Sequence, residues 1–239
     1  MYQQEFETIV INAKGFRKST FTAAVEATIR LYINNKPVSS ILASPAQLEQ
    51  LAVGYLVCEG IIKDTSDIKD ITISNSSLDS IEIRSVINNN INLQHNENVK
   101  VNSDTRFNAD VIRKSIHYLE SGIYQQTRGT HAACIIDING CCIARAVDVG
   151  RHNAVDKAIG QALMDGYKLD EHFILSTGRQ PAGMVHKAAR VGISVIVTKA
   201  APLNTGIEAA RQSGICLIGL ATEKTMTIFS HWYRIAVLY

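Results

Sequence analysis

The sequence lacks most of the features that would set a chain apart from ordinary soluble proteins. No run reaches the roughly 18 apolar residues that a membrane-spanning helix needs. The start, Met1-Tyr2-Gln3-Gln4-Glu5, has no charged-then-apolar signal pattern, so the expected compartment is the cytoplasm. Neither sign of charge dominates. Lys and Arg number 24 against 22 Asp and Glu, and a net charge of +2 argues for neither nucleic acid nor a membrane as partner. The five cysteines, Cys58, Cys134, Cys141, Cys142 and Cys216, are odd in number and include no Cys-x-x-Cys, which fits free thiols better than disulfides. There is no Gly-x-Ser-x-Gly nucleophile elbow and no internal repeat. A chain of 239 residues with 46% hydrophobic and 19% charged side chains has room for one large α/β domain and a smaller companion.

Patterning supports that division. Val25 to Ile33 alternates apolar and polar residues as a half-buried strand does, Asn34-Asn35-Lys36-Pro37 turns it, and Val38 to Ala43 returns. Ser44-Pro45-Ala46-Gln47 has the cap chemistry of a helix start, with Leu48, Leu51, Ala52, Tyr55 and Leu56 at helical spacing and Glu59-Gly60 as the stop. Alternating runs near 68–74 and 81–86 precede an asparagine-rich tract, 88–98, read as a loop. A boundary near residue 100 separates an N-terminal α+β part, 1–100, from an α/β domain, 101–239. In the second part a helix is expected over 108–122, a strand over 130–137, an Asn139-Gly140 turn, and a return over 141–147. A helix capped by Asn153 and ended by Gly166 follows, then strands near 173–176, 193–198 and 215–221 spaced by helices opening at Pro181 and Asn204, and a last strand near 226–230. Strands spaced by helices predict a partly parallel sheet.

Three strand exits carry an unusual density of polar groups. They are Asp148-Val149-Gly150-Arg151-His152-Asn153-Ala154-Val155-Asp156-Lys157, then Ser176-Thr177-Gly178-Arg179, then Thr198-Lys199-Ala200-Ala201-Pro202 running on to Asn204-Thr205-Gly206. Small or hydroxyl residues beside a cation, just before a helix, suit an anion held by backbone N–H groups, and ligands of α/β proteins bind at the ends of parallel strands. Caps and turn residues would explain any one exit. Three together favour a pocket for a phosphorylated or pyrophosphate ligand, with Arg151, Arg179 and Lys199 as cations and His152 and Lys157 beside them. His131 stands at the start of an apolar strand, as a ligand contact, an acid/base group or a hydrogen-bonded strand end. Zinc deaminases carry His-x-Glu and a later Pro-Cys-x-x-Cys; His131-Ala132-Ala133 has no Glu and Pro202 no following cysteines, so no bound metal is expected. None of the cysteines has the setting of a prepared nucleophile. Cys134 and Cys216 lie in apolar runs, Cys58 sits beside Glu59, whose carboxylate would raise its pKa, and Cys141 and Cys142 alternate across a strand.

These strings, with Gly129-Thr130-His131-Ala132-Ala133, Lys187-Ala188-Ala189, Gly54-Tyr55-Leu56-Val57-Cys58-Glu59-Gly60-Ile61-Ile62, Phe229-Ser230-His231 and Arg234-Ile235, resemble the FdhD family of formate dehydrogenase accessory proteins, from about residue 20 to the end. The resemblance implies a cytidine deaminase-like three-layer α/β/α domain and a homodimer. It implies sulfur carried as a cysteine persulfide from a cysteine desulfurase to bis-molybdopterin guanine dinucleotide, of molybdenum or tungsten, bound as cargo for formate dehydrogenase. The implied cofactor-binding residues are His131, Asp148, Arg151, His152, Asn153, Lys157, Ser176, Gly178, Arg179 and Lys199, with a C-terminal segment of Thr225, Met226, Thr227, Ile228, Phe229 and Ser230. One departure stands out. Where the family carries a Cys-Gly-x-Cys-Gly loop, this chain reads Val101-Asn102-Ser103-Asp104-Thr105-Arg106-Phe107-Asn108, without a thiol to take up a persulfide. Three alternatives follow: an accessory protein that binds or escorts the cofactor without the usual sulfur transfer, a sulfurtransferase using Cys58 or Cys134, or a deaminase-fold enzyme acting on a nucleotide.

Overall fold

The computed structural model describes residues 3–77, 80–88 and 99–236, so most of the asparagine-rich tract lies outside the described residues. The chain opens on an antiparallel hairpin, β1 (Gln3–Asn12) and β2 (Gly15–Ala24), that sequence patterning did not single out. A four-stranded sheet follows, of β3 (Ala27–Ile33), β4 (Lys36–Ala43), β5 (Ile68–Ser77) and β6 (Ser80–Ile87) in the order β4-β3-β6-β5. Asn34 and Asn35 both take φ > 0, at 48° and 64°, which two-residue hairpin turns need and asparagine tolerates. Helix α1 (Leu48–Cys58) lies over this sheet, with Leu51 and Ala52 against Ile29, Leu31 and Ile83.

The second part begins with the short strand β7 (Phe107–Asn108) and α2 (Ala109–Ser115). The expected helix over 108–122 is broken. Asn108 caps α2 as read, its side chain accepting from the Asp110 N–H at 2.7 Å, but a 3₁₀ turn takes over at 116–119 and α3 (Gly122–Thr127) starts afresh, capped by Ser121. Then come β8 (His131–Asp137), β9 (Cys142–Asp148), α4 (Arg151–Met164), β10 (His172–Ser176), α5 (Ala182–Arg190), β11 (Val195–Thr198), α6 (Asn204–Ser213), β12 (Cys216–Gly219), β13 (Thr227–Ile228) and β14 (Ile235–Ala236). The sheet order is β13-β12-β11-β10-β8-β9, with β10, β11 and β12 parallel and the others antiparallel to their neighbours. Residues of α4, α5 and α6 pack one face, and α2, the 3₁₀ turn and Phe107 pack the other, giving three layers.

The two parts are fastened by buried polar groups at the first strand exit. The Asp148 carboxylate accepts from the backbone N–H groups of Ser44 (3.0 Å) and Gly150 (2.7 Å), the Asn153 amide (3.0 Å) and the Lys157 ammonium (2.5 Å). Lys157 also donates to the Ser44 carbonyl at 2.8 Å, and Asn153 to the Leu42 carbonyl at 2.7 Å. Ser44 therefore does not cap α1. Gln47, at φ 50°, precedes that helix with no side-chain cap. Asn153 likewise lies inside α4, whose N-cap is Gly150. A second knot joins α1, α4 and α5: Lys187 donates to Asp156 at 2.8 and 3.0 Å and to Glu59 at 2.7 Å. Burial opposes the Lys187 charge, but the two carboxylates outweigh it and hold its pKa above the usual lysine value. Between the knots, α1 and α4 approach at glycines. A Cβ on Gly54 would stand 1.8 Å from the Asp156 carbonyl oxygen, and one on Gly160 2.0 Å from that of Gln50.

Removing either partner of the Asp148–Lys157 pair has unequal consequences. In Lys157→Met the carboxylate keeps its three N–H donors, whereas Asp148→Ala strands a buried ammonium. Asp148→Ala is expected to cost about 3–5 kcal/mol and Lys157→Met clearly less in urea melts; equal losses would contradict this assignment.

Candidate functional site

The C-terminal ends of β10 and β11 and the start of β8 lie side by side, as the strand-exit reading requires. The Lys199 N–H donates to the Ser176 carbonyl at 3.1 Å, and the Thr177 N–H to that of Ala132 at 3.0 Å. The Thr177 hydroxyl accepts from the Ala132 N–H at 3.0 Å and is hydrogen-bonded to His131 Nδ1 at 3.2 Å. Close contacts align the second exit with the other two. A Cβ on Gly178 would fall 2.6 Å from that of Arg151, and one on Gly206 2.0 Å from the Gln180 carbonyl oxygen. The glycines let the exits nest.

Beside these ends opens a cleft of about 750 Å³, lined by His131, Ala132, Thr177 and Lys199 on the sheet side and by Leu119, Glu120, Ser121, Tyr124, Gln125, Arg128, Gly129 and Thr130 on the other. A second hollow of about 370 Å³, lined by Thr222, Glu223 and Lys224 among others, shares Glu120 and Lys199 with it. Two polar atoms near the exits are buried with no hydrogen-bond partner: the Thr130 hydroxyl in the cleft wall and Nε of Arg151. An unsatisfied buried polar group is costly, and both of these lie close to the strand exits. Burial first, then the charges of Arg151 and Arg179, holds the His131 pKa below the usual histidine value; the same causes, burial then Arg151, lower His152 to about 4.

The site residues expected from sequence divide into two sets. His131, Arg151, Arg179 and Lys199 gather at the exits, with Arg179 and Lys199 exposed. Asp148, Asn153 and Lys157 do not face the cleft. Lys157 has no exposed side-chain surface and its ammonium is committed to Asp148 and Ser44, which corrects its reading as a phosphate partner. Ser176 and Gly178 shape the second exit: the Ser176 hydroxyl accepts from the Gly178 N–H, and the Gly178 carbonyl accepts from Gln180 and Thr198. His152 is half-buried and electrostatically coupled to Lys187 and Glu59. In the C-terminal segment, the Ser230 hydroxyl is tied to β12, donating to the Ile215 carbonyl and accepting from the Leu217 N–H. Thr227 and Ile228 pair with Gly219 and Ile218, and Thr225 belongs to a turn with Thr222. The residues just before that segment, 222–224, line the second hollow.

Both cysteines named as alternative sulfur acceptors are placed against that role. Cys58 is fully buried, and burial and the Asp156 carboxylate push its pKa up. Cys134 is buried in the sheet, its pKa also raised, by its hydrogen bond with Cys142 and by burial. Sequence patterning does not single out Tyr124, Arg128 and Thr130 as site residues, because a helix expected over 108–122 leaves no helix along the cleft after Gly122. The only signal for them was Ser121 followed by Gly122, a cap as well as a stop. No group of three His, Cys, Asp or Glu side chains suited to a metal ion occurs among the described residues, and no helix among them is long and apolar enough to cross a membrane.

Comparison with known proteins agrees with this architecture. The model of the FdhD/NarQ family matches residues 24–236. The chain is 34% identical over 221 residues to a protein named sulfur carrier protein FdhD from Methanothermobacter thermautotrophicus, covering 87% of this chain and 88% of that one. It is 31% identical over 226 residues to protein FdhD of Methanocaldococcus jannaschii, covering 92% of each. A crystal structure from Desulfotalea psychrophila, bearing a formate dehydrogenase accessory name, superposes with a TM-score of 0.85 at 25% identity, over 99% of this chain and 100% of that one. With nearly the whole chain matched in sequence and in shape, this protein belongs to the FdhD/NarQ family.

Proposed function

We propose that the protein is a formate dehydrogenase accessory protein of the sulfur-carrier type, which holds bis-molybdopterin guanine dinucleotide as cargo in the cleft at the strand exits and assists its sulfuration or delivery. The observation that carries this is the meeting of Thr130, His131, Thr177 and Lys199 around one cleft, next to a second hollow that has Lys199 and Glu120 as walls in common with it. Two neighbouring hollows with a cation between them suit an elongated ligand with a pyrophosphate between its ends. Lys199 and Arg179 are exposed cations beside backbone turns. The chemistry of the metal stays with the cargo, and the chain supplies charge, hydroxyl groups and a wall. Cytoplasmic location and exchange with a cysteine desulfurase belong to the same reading.

The sheet supports the deaminase-like part of this proposal. Its order and directions, an antiparallel pair β9-β8 beside parallel β10, β11 and β12, are those expected of a cytidine deaminase-like layer, without the zinc ligands of the enzymes. A homodimer is supported by the first hairpin, which exposes Ile9 (62%), Ile11 (79%) and Phe16 (77%). Two strands alone are marginally stable in water, and a second copy laid on this surface would cover apolar area that a monomer leaves wet.

Guanosine diphosphate, which shares the guanine and pyrophosphate of the cargo, tests the cleft. At about 100 times its dissociation constant it should stabilise the protein by about 2.7 kcal/mol. Lys199→Ala should weaken binding about tenfold, the equivalent of about 1.4 kcal/mol. No thermal shift, or one that Lys199→Ala and Arg179→Ala leave unchanged, would remove the proposal's support. A phosphate beside His131 would raise its pKa, so the complex binds more protons than the free protein and affinity should rise as pH falls through the histidine range. Calorimetry in buffers of different ionisation heat would read that proton uptake, which should disappear in His131→Gln. Light scattering at micromolar concentration should find a dimer that Ile11→Asp with Phe16→Ser converts to a monomer; a monomeric wild-type protein would rule out the hairpin interface.

A further inference from the structure

The first hairpin is held to the rest of the chain at its root. β1 and β2 form a two-stranded sheet of their own, paired over all ten residues of each strand, and the helix that the hairpin packs against is α3, through β2. A Cβ on Gly129 would stand 3.7 Å from that of Ala24, and the Gln3 amide donates to the Gln126 side-chain oxygen at 2.6 Å. Beyond this root the hairpin projects. Phe16 lies eight residues from Ala24 along β2, about 26 Å at strand spacing. Phe6, Ile9, Val10, Ile11, Phe16 and Phe21 are all exposed. Pairing puts Phe6 and Phe21 on one face and Ile9, Ile11 and Phe16 on the other, so neither face rests on a core.

The dependence runs in the other direction too. α3 is six residues long and forms the outer wall of the cleft, with Tyr124 and Gln125 lining it and Ser121, Arg128 and Gly129 at its ends. The bonds of this wall are mostly its own. The Ser121 hydroxyl accepts from the Tyr124 N–H at 3.3 Å, and the Thr127 hydroxyl donates to the Ile123 carbonyl at 2.8 Å and accepts from the Gly129 N–H at 3.2 Å. The Arg128 guanidinium lies over the Tyr124 ring. Among the described residues, the bond to Gln3 is the one side-chain hydrogen bond that leaves the 121–129 segment. A helix of this length is not stable by itself. It takes its order from what it packs against, and that is β2.

We propose that the hairpin regulates the cleft by seating α3, and that a second copy of the chain is what holds the hairpin in place. This rests on the reading of the cleft and of the dimer given above. A two-stranded hairpin alone is marginal in water, so in a monomer the hairpin and the helix at its root loosen together, and the cleft loses the order of one wall. The occupant is a second copy because the exposed face complements itself. Beside its apolar tip it carries charges of both signs, Glu5 and Glu7 on β1 and Lys18 on β2, which suits an isologous contact about a two-fold axis. Dimerisation and occupancy of the cleft are then linked, and by reciprocity ligand in the cleft tightens the dimer as the dimer tightens the ligand.

The test uses the whole chain, with guanosine diphosphate affinity measured by calorimetry and the dimer constant by analytical ultracentrifugation. Ile11→Asp with Phe16→Ser should give a monomer that binds the nucleotide about fivefold or more weakly than the wild-type dimer, although both substitutions lie at the far end of the hairpin. Saturating nucleotide should tighten the wild-type dimer. A tether can replace the second copy. The 3.7 Å between the two β-carbons at Ala24 and Gly129 falls within the range of disulfide-linked residues. Ala24→Cys with Gly129→Cys, added to the monomeric variant, should recover the wild-type affinity when oxidised and lose it again when reduced. Recovery distinguishes coupling from a tip variant that merely folds badly. A monomeric variant that binds as tightly as the wild type, a tether that restores nothing, or a monomeric wild-type protein overturns the proposal. Each of these leaves the cleft reading standing on wild-type binding, whereas a chain that binds no guanosine diphosphate in any form removes both.

Discussion

The Asp148 carboxylate is the point on which the structure depends. It is buried, it closes β9, and it gathers donors from two backbone positions, an amide and an ammonium. A carboxylate taken out of water is tolerated only when its acceptor capacity is filled, and here the fillers come from both parts of the chain. Ser44 reaches in from the end of β4, and Gly150, Asn153 and Lys157 from the start of α4. One charge thereby fixes the first helix entry, the strand exit beside Arg151 and the seating of the N-terminal sheet. Apolar contact alone would allow these layers to slide; a filled carboxylate allows one register.

That constraint separates scaffold from chemistry at the sheet's two ends. At the exits of the parallel strands, glycines at 178 and 206 let three loops nest, leaving cations and hydroxyls around an open cleft. At the opposite end the hairpin joining β8 and β9 packs against α2 through Gly140. The helical layer behind is drawn close by Gly54 and Gly160 and pinned by Lys187 between two carboxylates. The polar groups of the Asp148–Lys157 string serve this fastening more than the cleft, and of its ten residues Arg151 makes the closest contact with the second exit.

Much of the architecture was legible in the sequence because period and punctuation agree there. The βαβ rhythm after residue 130, the asparagine turn at 34–35 and the glycine ends of α4 and α6 all report local backbone preferences. Other features depend on partners distant in sequence. Ser44 has the chemistry of a helix cap but donates across 104 residues of chain separation and accepts across 105 and 113, and Lys157 carries a charge that only the tertiary structure shows to be neutralised. That Cys142 shares a sheet face with Cys134 was hidden for a simpler reason. A bulge changes which residues share a sheet face, and alternation alone cannot announce a bulge.

Arg234 holds a further consequence. Its buried guanidinium donates to the carbonyls of Gly214, Ser103 and Val101, while the Val101 N–H donates to the Ser213 carbonyl and Phe107 packs edge-on against Phe173. Residues 101–103 and 107 are thus two moorings with a short span of chain between them. Lengthening that span disturbs neither mooring, and the entropic penalty of a longer loop grows only with the logarithm of its length. The chain can therefore be lengthened or shortened at this place while the layers beneath keep their shape.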